Sequence, residues 1–140
     1  MIERKVFLDT AFAISLSAVN DDHHELALLL SDELEADKTR LVTTCAVMSE
    51  IGNSLSRQRY RKAAIELIQS LEGDEMVEIV PMTEDLYARG FDIFQSRPDK
   101  VWGITDCISF VVMRELGINS VLTTDRHFQQ AGFKALLRKD

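Results

Sequence analysis

Apolar residues in this chain fall into two patterns that alternate along its length. Short runs at Lys5–Asp9, Arg40–Thr43, Met76–Val80 and Ser120–Thr123 predict strands, the first, rich in β-branched and aromatic side chains, buried on both faces. Between them apolar residues recur at helical spacing. A helix is expected from Thr10. After the polar break Asn20-Asp21-Asp22 a second carries Leu26, Leu29, Leu30 and Leu34 as far as about Asp37. Thr44 is placed to cap a helix bearing Val47, Met48, Ile51 and Leu55, with Glu50 beside its apolar stripe. The next helix carries Ala64, Ile65, Ile68 and Leu71 and ends at Gly73.

Thr83-Glu84-Asp85 starts a helix with Leu86, Phe91 and Phe94, broken at Arg97-Pro98-Asp99. Thr105 reads as the cap in front of Asp106, and Cys107 to Leu116 as a strongly apolar helix closed by Gly117. A short helix, His127 to Ala131, and an extended piece, Phe133 to Leu137, complete the pattern. Strands alternating with helices imply an α/β fold with a parallel sheet, because parallel neighbours need crossover connections.

Composition narrows this picture. With 140 residues and 46% hydrophobic content, one domain spanning 1–140 can build a continuous core. No apolar stretch approaches the roughly 18 residues that would span a bilayer. The start Met1-Ile2-Glu3-Arg4-Lys5 leads into a strand rather than a signal peptide, so the expected location is the cytoplasm, with no membrane partner. Two cysteines, Cys45 and Cys107, are too few and too separated for a zinc ribbon or disulfide framework and read as reduced core thiols. A net charge of −7 argues against a diffuse positive surface for holding nucleic acid. It leaves open a nucleic acid gripped locally, through cations recruited by carboxylates.

Four acids stand where such recruitment would occur. Asp9 closes the first strand, Glu50 lies about two turns into the helix after the second, Asp106 opens a buried helix, and Asp125 follows the fourth strand. In a parallel sheet with right-handed crossovers these positions share the carboxyl rim, where open α/β sheets place their ligands. Like charges ~4 Å apart repel by about 4 kcal/mol at an effective dielectric of about 20, so a shared site calls for a cation. Oxygen ligands with no His or Cys at comparable positions favour Mg²⁺ or Mn²⁺ over zinc. Such a centre suits phosphodiester hydrolysis, since the ion both activates water and offsets charge on the attacking and leaving oxygens. The plainer reading is that helix dipoles favour acids in first turns and that 23 acids will place some at strand ends by chance.

The motifs themselves favour the metal. Leu8-Asp9-Thr10-Ala11-Phe12, Thr43-Thr44-Cys45-Ala46-Val47-Met48-Ser49-Glu50, Thr105-Asp106-Cys107-Ile108-Ser109 and Leu122-Thr123-Thr124-Asp125-Arg126-His127-Phe128 together resemble the PIN-domain ribonucleases, in order and over nearly the whole chain. Within that family the chain is most similar to the small prokaryotic members that include the VapC-type toxins. The resemblance implies a three-layer α/β/α sandwich with a mainly parallel central sheet, a Mg²⁺ centre that also accepts Mn²⁺, and endonucleolytic cleavage of RNA to a 5′-phosphate and a 3′-hydroxyl. It implies Asp9 and Asp106 as principal metal ligands and catalytic residues, with Glu50 and Asp125 completing the cluster directly or through water. Thr10 and Thr124 match hydroxyl positions that orient ligands or water, and Ser109 is either a third such group or a packing serine. Ala11 departs from the family's frequent serine. A cognate antitoxin and a homodimer are the partners the resemblance implies, alongside the RNA substrate.

Other residues add candidate contacts. Arg126, Arg97 and Lys100 are expected near the rim, where they would meet RNA phosphates. Trp102 either stacks on a base or packs. Arg57, Arg59, Arg61 and Lys62, with Tyr60, form either an RNA grip or a solvated helix junction. His23 and His24 are expected to be exposed, His127 to cap or pack its helix, and the Leu26–Leu34 stripe to be core. The function expected is thus a metal-dependent endoribonuclease acting as the toxin of a toxin–antitoxin pair. The alternatives are a non-toxin RNA-processing nuclease or a catalytically idle interaction module. A receiver-like phosphate-transfer domain would need a lysine at a strand end, which the sequence lacks.

Overall fold

Five of the extended segments pair side by side, all in parallel, in the computed structural model, which describes residues 4–138. They are β1 (Lys5–Leu8), β2 (Arg40–Thr44), β3 (Val77–Val80), β4 (Ser120–Leu122) and the two-residue β5 (Lys134–Ala135), in the order β3-β2-β1-β4-β5. The helices are α1 (Thr10–Ser17), α2 (His24–Ala36), α3 (Cys45–Ser54), α4 (Gln58–Gly73), α5 (Glu84–Ser96), α6 (Ile104–Leu116) and α7 (Arg126–Gln130). The chain steps outward from β1 to β3, then returns across the sheet to β4. With right-handed crossovers this puts α1 to α4 on one face and α5 to α7 on the other; helices touch mainly within each group, and α3 and α6, which start at the same rim, also meet. The expected three-layer α/β architecture is therefore the observed one. Its strand order reverses at β1 and β4, so the crevice beyond their carboxyl ends is the topological switch point.

Packing follows from the sequence's apolar runs. Val6, Phe7 and Leu8 on β1, Val42 on β2 and Val121 and Leu122 on β4 are at most 1% exposed, as expected for strands covered on both faces. Phe110 of α6 meets Phe128 of α7 edge-on, with ring centroids 5.1 Å apart, and Phe7 lies 6.4 Å from Phe128. Each such ring contributes about 1.5–3 kcal/mol on burial, so α6 and α7 are fixed against β1. Gly90 lets α5 approach closely, since a Cβ there would stand 2.5 Å from Ile108 Cγ1 and 3.2 Å from its Cα. Gly117, at φ 69°, ends α6 in the left-handed conformation expected of it.

Several expectations are corrected. The inner face of α5 follows Leu86, Gly90 and Ile93, which leaves Phe91 and Phe94 exposed on a stripe shared with Tyr87. Leu29 and Ile65 likewise point outward from α2 and α4, whose buried residues are Ala27 and Leu34, and Ala64 and Leu71. Gly73 does end α4, as its last residue. Cys45 is exposed, at the first position of α3, while Cys107 is buried and its thiol is pushed up to about 11 by burial and by the neighbouring Asp106 charge. His24 is half-buried rather than exposed, because its Nδ1 donates to the Ser15 carbonyl at 2.7 Å. No helix among the described residues is long and apolar enough to cross a membrane.

Candidate metal centre

Each candidate acid stands where a strand hands over to a helix. Asp9 follows β1 directly and occupies the N-cap position of α1 with extended backbone, and its N–H donates to Leu122 O of β4 at 3.2 Å. Its side chain does not cap the helix. Instead Asp9 Oδ2 accepts from Thr123 Oγ1 at 2.7 Å, in a buried contact across the sheet. The same Thr123 oxygen accepts the Asp125 N–H at 3.0 Å, so one hydroxyl ties two of the acids together. Asp125 caps α7 with Oδ1, which accepts the His127 N–H at 2.9 Å.

Asp106 reaches the rim differently from the expectation. Thr105 is not the cap. Helix α6 starts at Ile104 after Gly103, and Asp106 lies at the end of its first turn, where Oδ2 accepts the Gly103 N–H at 3.1 Å. Glycine has no side chain to return the bond, so this is only the reciprocal half of a capping box. Asp106 is held there by the same dipole that favours any acid in a first turn, yet it also faces its neighbours. His127 Nδ1 lies 2.9 Å from Asp106 Oδ2 and 3.1 Å from Asp125 Oδ2. One donor atom from each of Asp106, Asp125 and His127 falls within a 4.8 Å cluster, and no other acid joins it among the described residues.

Asp9 and Glu50 complete the acidic environment from outside that cluster. Burial of Asp9, which is 5% exposed, raises its pKa to about 7, against the lowering effect of the Thr123 hydrogen bond. The charges of Asp106 and Glu50 raise it further. Glu50, half-buried on the second turn of α3, thus lies near enough for its charge to be felt at Asp9. Asp106 is also raised, chiefly by burial and partly by Asp125. In both Asp9 and Asp106 burial and neighbouring acids disfavour the charged form. Two carboxylates and an imidazole with adjacent donor atoms fit a divalent cation, and the buried Thr10 Oγ1 beside Asp9 has no hydrogen-bond partner among the described residues.

The supporting candidates separate by environment. Ser109 donates to Thr105 O at 2.8 Å, one turn back on α6, which is the packing reading of that residue. Thr124 is half-buried, and its carbonyl accepts from Arg138 Nη1 at 2.9 Å. Arg97 is exposed but bound by both its Nε and Nη2 to Asp99, whose carboxyl is thereby held down to about 2. Arg126 is exposed, and Lys100 Nζ sits 6.0 Å from the Trp102 ring centroid. Trp102 itself is 5% exposed, donates to Gln130 Oε1 at 2.9 Å and packs edge-on against Phe110, so it is a core residue and not a stacking platform. Thr123 and His127 are the site residues that sequence reasoning undervalued. Both lie inside the motif around Asp125, where the alternation of a buried strand already placed Thr123 at the strand end.

Comparison with known proteins agrees with this fold. The PIN domain profile matches residues 6–134. The chain is 28% identical over 129 residues to the 23S rRNA-specific endonuclease VapC20 of Mycobacterium tuberculosis, covering 91% of this chain and 95% of that protein. The crystal structure of M. tuberculosis VapC20, a sarcin–ricin loop cleaving toxin, superposes with a TM-score of 0.80 at 26% identity, over 91% of this chain and 95% of that one. Rickettsia felis VapBC2 bound to a promoter DNA fragment gives 0.66 at 12% identity over 94% and 96%, a likeness of fold alone. Neisseria gonorrhoeae FitAcB gives 0.63 at 17% over 93% and 94%, likewise of fold alone.

The buried Asp9 carboxyl sets a pH dependence. Its folded-state pKa, about 7, stands above the ordinary 3.8, so the folded state binds the proton more tightly than the unfolded one. The stabilisation this supplies is complete below about pH 4 and is lost as the pH rises to about 7. At ~1.4 kcal/mol per pH unit the loss in metal-free protein is on the order of 4 kcal/mol. Urea melts in chelator are expected to show this decline in the parent and not in Asp9→Asn. Parallel pH profiles for the two proteins would contradict the assignment.

Proposed function

The chain belongs to the PIN-domain family, and from that premise we propose that it is a Mg²⁺-dependent endoribonuclease and the toxin of a toxin–antitoxin pair, acting in the cytoplasm. The observation that carries this reading is the convergence of Asp9, Asp106, Asp125 and Glu50 on the switch point of the sheet, where the rim's negative potential calls for a cation. When bound there, a divalent cation offsets charge on a scissile phosphate and makes water a better nucleophile at neutral pH. Asp106 and Asp125 hold it from α6 and the start of α7. Asp9 contributes from the floor of the site and Glu50 from the second turn of α3. Thr123 keeps Asp9 and Asp125 in register, and the hydroxyls of Thr10, buried without a partner among the described residues, and of Thr124 are assigned supporting roles.

Hydrolysis adds a water oxygen to phosphorus and breaks the bond to the 3′ oxygen, leaving a 5′-phosphate and a 3′-hydroxyl. Arg126 and Lys100 meet the flanking phosphates, with Arg97 contributing only when Asp99 releases it. The relative named for 23S rRNA covers nearly all of this chain, so the sarcin–ricin loop is the first RNA to offer as substrate. An antitoxin partner is supported by the complexes among the structural neighbours, and by a cleft of about 650 Å³ lined by His23, Glu25, Leu29, Thr124 and Arg138, next to Asp125.

A homodimer is supported by the aromatic row on α5. Tyr87, Phe91 and Phe94 are 52%, 40% and 46% exposed and stack in sequence at centroid separations of 6.4 and 6.3 Å. A single row of rings can be self-complementary about a two-fold axis across it, where Phe91 meets its copy and Tyr87 meets Phe94 of the other chain.

Two outcomes test these readings. Asp9→Asn and Asp106→Asn proteins are expected to fold and to cut RNA at least about a hundredfold more slowly than the parent in Mg²⁺, a loss of roughly 3 kcal/mol of transition-state stabilisation. Undiminished cleavage by either folded variant would sink the nuclease assignment. Light scattering is expected to give a two-chain mass for the parent and a one-chain mass for Phe91→Glu. Identical masses would remove the α5 face from the dimer proposal.

A further inference from the structure

The imidazole of His127 lies among the carboxylates rather than beside them. Its Nδ1 stands 2.9 Å from Asp106 Oδ2 and 3.1 Å from Asp125 Oδ2, and its side chain is 20% exposed. Around an ion with bonds of about 2.1 Å in octahedral geometry, adjacent donor atoms are about 3.0 Å apart. His127 Nδ1 therefore already stands at the spacing of a neighbouring ligand from an oxygen of each of the two carboxylates, and the three donors lie within 4.8 Å of one another.

The ring is also held in place. Asp125 Oδ1 fixes the His127 backbone at the start of α7, the next residue Phe128 is fully buried against Phe110 and Phe7, and Gln130 is tied to Trp102. A residue present only to cap its helix would not need its ring directed between two acids.

We propose that His127 Nδ1 is a direct ligand of the resident cation, and that this nitrogen makes the centre select Mn²⁺ over Mg²⁺. The inference rests on the metal-nuclease reading above and deepens it. Carboxylate oxygens serve Mg²⁺ and Mn²⁺ alike, whereas imidazole suits transition ions and adds little for the strongly hydrated Mg²⁺. The neutral ring carries its hydrogen on Nε2 when Nδ1 coordinates. An all-oxygen centre, the expectation from strand-end acids alone, would show no such preference.

Pulsed electron paramagnetic resonance of Mn²⁺ bound to the full chain tests this directly, together with Mn²⁺ binding in competition with Mg²⁺. The parent is expected to show coupling of Mn²⁺ to an imidazole nitrogen. In His127→Gln that coupling disappears, and the preference for Mn²⁺ falls by about tenfold or more. The parent spectrum decides the point even if the variant fails to fold. Bound Mn²⁺ without nitrogen coupling would overturn His127 as a ligand and leave the nuclease reading standing. Absence of Mn²⁺ binding that depends on Asp106 and Asp125 would overturn both.

Discussion

A carboxylate buried at the end of a central strand, with two more negative groups directed at it, is the constraint around which this site is organised. Asp9 is 5% exposed and feels both Asp106 and Glu50. In a medium less polar than water such charges repel strongly, and a fold optimised for stability alone would not assemble them. The chain moderates the conflict in several ways. Thr123 donates to Asp9, the Gly103 N–H bonds Asp106, and α1, α3 and α6 all start at the same rim, directing the positive ends of their dipoles toward it. These contributions orient the acids without neutralising them, and what remains is a standing demand for a cation.

That demand also resolves the apparent mismatch between an acidic protein and a polyanionic substrate. The net charge is −7, and of the basic residues expected near the rim, Arg97 is already paired with Asp99. In the proposed function, attraction to phosphate would then be local, carried by a bound cation and by Arg126 and Lys100. Weak long-range affinity coupled to strong short-range contact suits an enzyme that selects a particular RNA structure over bulk nucleic acid.

Much of this was legible from the residues. Strands such as Lys5–Leu8 and Ser120–Leu122 announce themselves because burial on both faces demands continuous apolar runs, and the acids at their ends inherit a shared rim from parallel topology. The faces of amphipathic helices were harder to read. Phe91 and Phe94 have helical spacing and large apolar side chains, yet Leu86, Gly90 and Ile93 take the inner stripe because Gly90 allows the closest approach to Ile108. The start of α6 moved to Ile104 because Asp106 caps backward onto Gly103, a bond that a threonine in front of an aspartate conceals. Within the site, the roles of Thr123 and His127 depend on contacts between β1, β4, α6 and α7 that are far apart in the chain, the Thr123–Asp9 bond spanning 114 positions. Asp106 and Asp125 share a tight cluster with His127, while Asp9 is buried at the end of β1 outside it.

The central claim is that a divalent cation takes over the charge balance that a proton on Asp9 supplies in its absence. Calorimetric titration of the protein with Mn²⁺ in two buffers of different ionisation enthalpy counts the protons set free on binding. Near pH 6 the account predicts that the parent releases about one proton more than Asp9→Asn, a difference that fades above about pH 8. Equal proton release from the two proteins at the lower pH, or no binding at all, would contradict it.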